Sequence, residues 1–168
     1  MRILGIDPGY GRLGWGLVEM RGNHFAAVAY DCIETQKDLP HTDRLKVIYS
    51  ELMDIIDQYR PDAYSVEKLY FNTNVTTGIK VAEARGVALL AAANSGIKVF
   101  EYTPLQIKSA LTGYGQAEKI QVEQQVKRIL NLEKAPKLDD TSDALAAAIC
   151  HGFTGDMEER VLRVRKGI

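Results

Sequence analysis

Two cysteines, Cys32 and Cys150, are too few and too isolated for a disulfide framework or a zinc site, and they read as small, buried, reduced thiols. The three histidines, His24, His41 and His151, share no ligand spacing, and His151 sits at the end of an apolar helical run as a capping or core residue. No apolar stretch approaches the roughly 18 residues that span a bilayer. The chain enters a strand by Arg2 without a basic-then-apolar leader, so the expected location is the cytoplasm, with no membrane partner. An excess of charge is missing too: 21 Lys and Arg against 22 Asp and Glu leave a formal charge of −1, which does not announce a polyanion binder. The 168 residues suffice for one domain of ordinary size, and no second folding unit is needed.

The charge is uneven along the chain. Residues 1 to 66 carry 7 basic and 10 acidic side chains, 67 to 130 carry 8 and 5, and 131 to 168 carry 6 and 7. A basic middle third between acidic flanks is compatible with gripping a polyanion around an acidic centre, though the same distribution occurs without any such role.

Residues 2 to 7, about 14 to 20 and about 24 to 34 read as three strands of an antiparallel meander, with Arg21-Gly22-Asn23 at the second reversal. Thr42 has the character of an N-cap, and apolar residues from Leu45 to Tyr59 recur at helical spacing until Pro61. A short strand over 63 to 67, a helix from Asn74 to Ala93 closed by Gly96, and a strand from Lys98 to Tyr102 come next. Thr103-Pro104 opens a helix to about Leu111, and 112 to 115 form a loop. Helices over 117 to 130 and 139 to 153 complete the set. The sequence thus divides into a single domain over 1 to 155 and a polar tail over 156 to 168, frayed or disordered. Antiparallel strands followed by strands alternating with helices give a mixed five-stranded sheet covered on both faces.

The segment Gly5-Ile6-Asp7-Pro8-Gly9-Tyr10-Gly11-Arg12-Leu13-Gly14-Trp15-Gly16 sets a lone carboxylate at the end of an apolar strand, followed at once by glycines. Gly9, Gly11 and Gly14 spell G-x-G-x-x-G, and Glu34 lies at the distance of a ribose-binding acid. The residues after Gly14 are strand-like, with no N-cap and no helical stripe, so the glycines turn a hairpin and the dinucleotide reading falls. Read alone, Asp7 serves equally well as a turn-forming residue before Pro8 and Gly9.

Its neighbours make it more than that. Glu67 ends the fourth strand as Asp7 ends the first, and the topology allows these strands to lie parallel and adjacent. Asp140 and Asp143 sit three residues apart in the first turn of the last helix, where negative charge is favoured. Four converging acids repel one another unless cations hold them. Oxygen donors without histidine or cysteine point to Mg²⁺ first and Mn²⁺ second. Two such ions about 4 Å apart can activate water and stabilise the leaving oxygen of a phosphodiester displacement. Asp7 is the natural bridge, and Ser65, Thr141 or Ser142 are candidates to orient the acids.

Gly5-Ile6-Asp7-Pro8-Gly9 with Gly14-Trp15-Gly16, then Val66-Glu67, Ala84-Arg85-Gly86, Tyr102-Thr103-Pro104, Ala117 with Lys119, and Asp140-x-x-Asp143-Ala144-Leu145-Ala146 resemble the bacterial RuvC family of Holliday junction resolvases. The resemblance runs from Met1 to about Gly152. It implies a ribonuclease H-like fold, a homodimer, and paired nicks across a four-way DNA junction in recombination and repair. It also implies work beside a branch-migration helicase of the RuvA and RuvB type. Carried over by position, the metal-binding acids are Asp7, Glu67, Asp140 and Asp143, serving two Mg²⁺ per subunit with Mn²⁺ as substitute. Asp139 beside Asp140 puts two acids where the family's pattern has one, and counting back from Asp143 favours Asp140. Lys108 and Lys119 match the family's active-site lysines. Tyr70 or Phe71 would stack on an unpaired base at the junction, and Lys68, Lys80 and Arg85 are candidate phosphate contacts. Two other readings share these residues: a nuclease of the same fold acting on structured RNA, and a fragment of an actin-like phosphate-binding ATPase. A scaffold that binds junctions without cutting them is opposed by the intact set of acids.

Overall fold

A computed structural model describes the backbone of residues 1–68 and 75–166 and the side chains of 1–68 and 78–155. Three strands open the chain, β1 (Arg2–Asp7), β2 (Arg12–Arg21) and β3 (His24–Glu34). Then come α1 (His41–Tyr59), β4 (Ala63–Glu67), α2 (Val75–Asn94), β5 (Lys98–Tyr102), α3 (Pro104–Thr112), α4 (Lys119–Ile129) and α5 (Asp139–Lys166). The sheet order is β3-β2-β1-β4-β5. Strands β1, β2 and β3 pair antiparallel, whereas β4 lies parallel to both β1 and β5. The sheet is therefore mixed and five-stranded, as the sequence predicts.

Alternation along the strands divides the core into two layers. Ile3 and Val18 face α3, α4 and α5, in a cluster with Ile107, Leu111, Val122, Val126, Leu145 and Ile149. Leu4, Ile6, Leu17 and Tyr64 face the opposite way, in a cluster with Ile48, Leu52 and Ile56 of α1 and Ala84, Ala88 and Ala91 of α2. The Tyr64 hydroxyl, wholly buried, donates to the Ala88 carbonyl 3.1 Å away, which satisfies the single polar atom of that side chain. Among the described residues no helix is long and apolar enough to cross a membrane.

Three boundaries differ from the sequence reading. Helix α1 begins at His41 with Pro40 as its cap, and Pro40 supplies the carbonyl that Asp43 and Arg44 N–H groups donate to. Thr42 thus lies within the first turn. Helix α4 starts at Lys119, because Glu118 and Gln121 form a reciprocal capping box and Ala117 is buried in the core instead. Helix α5 continues to Lys166, past the Phe153 at which apolar spacing ends. The residues after Gly155 include Met157, Glu158, Glu159, Arg160 and Leu162, all good helix formers, and this propensity favours continuation of the helix.

The glycines do more than turn a hairpin. Gly9 and Gly11 occupy the β1–β2 turn, but Gly5, Gly14 and Gly16 lie within strands beneath α5. A Cβ on Gly5 would stand 2.8 Å from the Ala148 backbone nitrogen and would overlap the Ala144 carbonyl. One on Gly14 would overlap the Asp140 carbonyl, and one on Gly16 would come 2.6 Å from Leu145 Cδ2. With alanines at 144, 146, 147 and 148, all buried, α5 rests almost directly on the sheet backbone. Ser65, paired in register with Gly5, fixes this contact by donating its hydroxyl to the Ala147 carbonyl at 2.6 Å.

Candidate active site

Strands β1 and β4 end together, with Ile6 opposite Val66, so Asp7 and Glu67 emerge at the same edge of the sheet. Gly14, the partner of Asp7 in the β1–β2 ladder, is also the residue on which the Asp140 backbone rests. The close seat of α5 thereby delivers its first turn, with Asp140 and Asp143, to the end of β1. The ends of β1 and β4 and the start of α5 thus lie side by side.

Their electrostatics show how near they are. Burial, then the charges of Asp143, Glu67 and Asp140, push the Asp7 carboxyl up to about 8, with Lys119 pulling weakly the other way. Glu67 is raised by burial and by Asp143, with Lys108 and Lys119 opposing. Asp143 is raised by burial, against the hydrogen bond and charge of Lys119. An acid that stays protonated near neutrality in the absence of a counter-ion marks a place where a cation would be welcome.

The chain supplies two cations of its own. Lys119 Nζ lies 3.1 Å from Asp143 Oδ2 and 3.3 Å from Asp139 Oδ2. Burial works to lower the lysine, but its hydrogen bonds and charge contacts with Asp143 and Asp139 prevail and raise it. Arg12 Nε stands 3.2 Å from Asp140 Oδ2. These contacts separate the two adjacent acids: Asp139 is turned out toward Lys119, while Asp140 is one of the charges felt by Asp7. Lys108 and Lys119 face Glu67 and Asp143 across a cavity of about 220 Å³, floored by Pro104, Ile107, Val122 and Ala146. Helix α3 is fixed there by a complete capping box between Thr103 and Gln106.

The remaining expected residues divide. Lys68 is exposed, and its N–H donates to the Tyr102 carbonyl at 2.8 Å, extending the β4–β5 ladder. Lys80 Nζ lies 5.5 Å above the Tyr10 ring. Arg85 is ion-paired with Glu101 and donates to the Glu67 carbonyl at 3.4 Å, which braces the end of β4 from α2. Tyr70 and Phe71 lie outside the described residues. Of the three candidates to orient the acids, Ser65 bonds α5 and Thr141 Oγ1 meets Cys32 Sγ at 3.2 Å, so neither bonds a carboxylate. Ser142 Oγ is buried with no hydrogen-bond partner among the described residues. Cys32 is only partly buried, in contrast to Cys150. His151 is a core residue, its Nδ1 2.8 Å from the Tyr102 hydroxyl.

The acids fit a hard divalent cation by their chemistry. All four offer oxygen, Asp140 Oδ2 is buried with Arg12 as its ion-pair partner, and Asp7 is raised to about 8 by burial and then by the other acids. Among the described residues, however, no three Asp, Glu, His or Cys side chains are drawn together closely enough to hold a metal ion. Mutual repulsion and the grip of Lys119 and Arg12 account for that open arrangement.

Sequence reasoning missed one group entirely. Tyr10, in the turn after Asp7, has its hydroxyl 2.8 Å from His41 Nδ1, and the Arg44 guanidinium lies 3.9 Å above its ring. Arg44 is itself buried and donates to the Thr35 hydroxyl at 2.9 Å. An arginine within an amphipathic helix reads as solvent-facing, and only the chain fold brings it under the turn.

A family model described as Crossover junction endodeoxyribonuclease RuvC matches residues 3–151. A protein of Ruminiclostridium cellulolyticum named Crossover junction endodeoxyribonuclease RuvC is 55% identical over 152 residues, covering 90% of this chain and 92% of its own. The solved Thermus thermophilus RuvC structure superposes with a TM-score of 0.88 at 34% identity, over 94% of this chain and 97% of that one. A second structure, T. thermophilus RuvC in complex with Holliday junction substrate, gives 0.86 at 32% identity, over 94% and 96%. Neither the RNA-directed nor the ATPase reading draws support from these likenesses.

Proposed function

The chain belongs to the RuvC family of crossover junction endodeoxyribonucleases, and from that membership we propose that it resolves four-way DNA junctions by paired, symmetric phosphodiester hydrolysis. The observation that carries the proposal is the meeting of Asp7, Glu67, Asp140 and Asp143 at one sheet edge. There Asp7 is raised to about 8 by burial and by the other three acids, beside a cavity walled by Lys108 and Lys119. These four acids would hold Mg²⁺, two ions per subunit with Mn²⁺ as substitute. When bound, the metal would lower the pKa of an attacking water and offset charge on the phosphodiester.

The protein's own groups have definite parts. With a cation bound Asp7 would be ionised, since burial and then the neighbouring carboxylates are what raise it to about 8. Lys119 is held on Asp143 and Asp139, and Lys108 lines the same cavity as Glu67. Their ammonium groups are placed to meet charge that develops on the phosphoryl oxygens. Replacing Lys119 by Met is expected to lower single-turnover cleavage by about 10²- to 10³-fold. Junction affinity should change by much less, as gel-shift titration in Ca²⁺ would show; loss of binding in proportion to cleavage would refute a transition-state role.

On this reading Lys68 and Lys80 meet the DNA backbone and Tyr70 or Phe71 stacks on an unpaired base. Arg85 acts from behind, through Glu67. The nuclease domain covers 1 to 155, with 156 to 168 as an appended segment. Two copies act together on the two opposed strands, beside a branch-migration helicase in the cytoplasm. The decisive experiment is to incubate the protein with an end-labelled four-way junction, with and without Mg²⁺, and to map the nicks. Metal-dependent cuts at symmetric positions on opposed strands are expected. Equal cutting of linear duplex, or metal-independent cutting, would overturn the proposal.

A further inference from the structure

The turn between Asp7 and Arg12 is short and contains two glycines, Gly9 and Gly11, so its own residues restrain it weakly. Restraint comes from outside. The Tyr10 hydroxyl and His41 Nδ1 are 2.8 Å apart, and His41 Nε2 stands 3.0 Å from Glu83 Oε2. Three elements are joined in one line: the turn, the first residue of α1, and the middle of α2. The same turn is held by its backbone. The Thr35 hydroxyl donates to the Tyr10 carbonyl at 2.8 Å, and the Thr35 N–H donates to the Gly11 carbonyl at 3.0 Å. Arg44 spans both sets, covering the Tyr10 ring and donating to Thr35, with Lys80 at the ring's other approach.

None of these groups reaches the acids, yet the turn they hold is the continuation of the strand end that carries Asp7. We propose that Glu83, His41 and Tyr10 form a positioning relay that fixes this turn and so sets how tightly the acid site takes up a divalent cation. The proposal rests on the metal-dependent reading above. Its physical basis is that Asp7 is the last residue of β1 and leads directly into this turn, so a turn free to relax lets its carboxyl group move relative to the ends of β4 and α5 and lowers the density of donors. Groups behind a metal's direct ligands characteristically change its affinity by about 10- to 100-fold when removed. The tie runs to α2, which also grips the Glu67 end of β4 through Arg85. One helix therefore steadies the chain next to both strand-end acids.

The test is a titration of Mn²⁺ into the whole protein, with free Mn²⁺ read by electron paramagnetic resonance and no DNA present. Tyr10→Phe keeps the ring under Arg44 and removes only the hydroxyl; His41→Ala removes the middle of the relay; Glu83→Gln, half exposed, keeps the shape and removes the charge. Tyr10→Phe and His41→Ala are each expected to weaken Mn²⁺ binding by about 10-fold. The double variant should be no weaker than either alone, because both cut the same line. Glu83→Gln should shift affinity in the same direction, and cleavage should recover at high Mn²⁺. Unchanged affinity in Tyr10→Phe, or losses that add in the double variant, would overturn the relay while Asp7→Asn still abolishes binding. If the unsubstituted protein and Asp7→Asn take up Mn²⁺ alike, the metal reading itself fails and the relay with it.

Discussion

Asp7→Asn leaves a protein that still binds a four-way junction but cuts it at least about 10⁴-fold more slowly, the scale of loss when a central member of a catalytic unit is removed. A second result distinguishes this residue from an ordinary active-site acid: without metal at pH 8, the variant melts at a higher temperature than the unsubstituted chain. Asp7 titrates near 8 in the fold against 3.8 for the free group, because it is buried and faces Asp143, Glu67 and Asp140. The folded state therefore holds a proton that the unfolded chain has already released. Stability from this group is intact below the unfolded value and declines as pH rises from 3.8 to about 8, amounting to a few kcal/mol, roughly. Glu67 and Asp143 are raised as well and act in the same direction. Melting curves in EDTA should fall between pH 5 and 8 for the unsubstituted protein, and less steeply for Asp7→Asn. Mg²⁺ at pH 8 should restore most of the difference. A flat profile for the unsubstituted chain would show that the acids are not packed against one another in solution.

Gly14→Ala is expected to be a severely damaging single-methyl change. The new Cβ would occupy the space of the Asp140 carbonyl, and the obstacle is backbone, which cannot rotate aside as a side chain does. Helix α5 would have to lift or slide along β1 and β2. Overpacking of this kind costs about 1–3 kcal/mol where neighbours can adjust, and this site belongs at or beyond the upper end. Lifting α5 also carries Asp140 and Asp143 away from Asp7, whose ladder partner is Gly14. The expected outcome is a large fall in melting temperature with cleavage lost at temperatures where the variant is still folded. Gly22→Ala gives a useful contrast: its φ is +59°, so strain is expected, but nothing lies within 4 Å and the acids should stay in place. Full cleavage by Gly14→Ala would mean that α5 does not position the acids.

Most of the architecture was legible because the signals were local. Short strand-like runs between turn residues marked β1 to β5, and helical spacing marked α1 and α4. The two strand-end acids and the acid pair in α5 followed from their places on those elements. The surroundings of the two acids preceding Asp143 were not local, since Asp139 and Asp140 are chemically equal neighbours: in the fold Asp139 pairs with Lys119, whereas Asp140 pairs with Arg12 and packs over Gly14. The strand glycines hid their purpose for a related reason. Gly14 was grouped with the hairpin glycines Gly9 and Gly11, whereas the requirement for glycine at Gly5, Gly14 and Gly16 comes from a helix far away in the chain. Tyr10, His41 and Glu83 share no spacing at all, and a contact among three elements leaves no mark on any one of them. Ser65 looked like a partner for an acid because it is polar beside Glu67, but strand alternation turns it under α5.

The seat of α5 on β1 and β2 bears on when the enzyme becomes dangerous to DNA. Asp7 is made 136 residues before Asp143, and parallel pairing of β1 with β4 must await α1 between them. Domains acquire structure as they emerge, yet no nascent stretch short of α5 contains the acid pair that completes the site. On the proposed reading of the four acids, the set is therefore brought together only when the final helix docks.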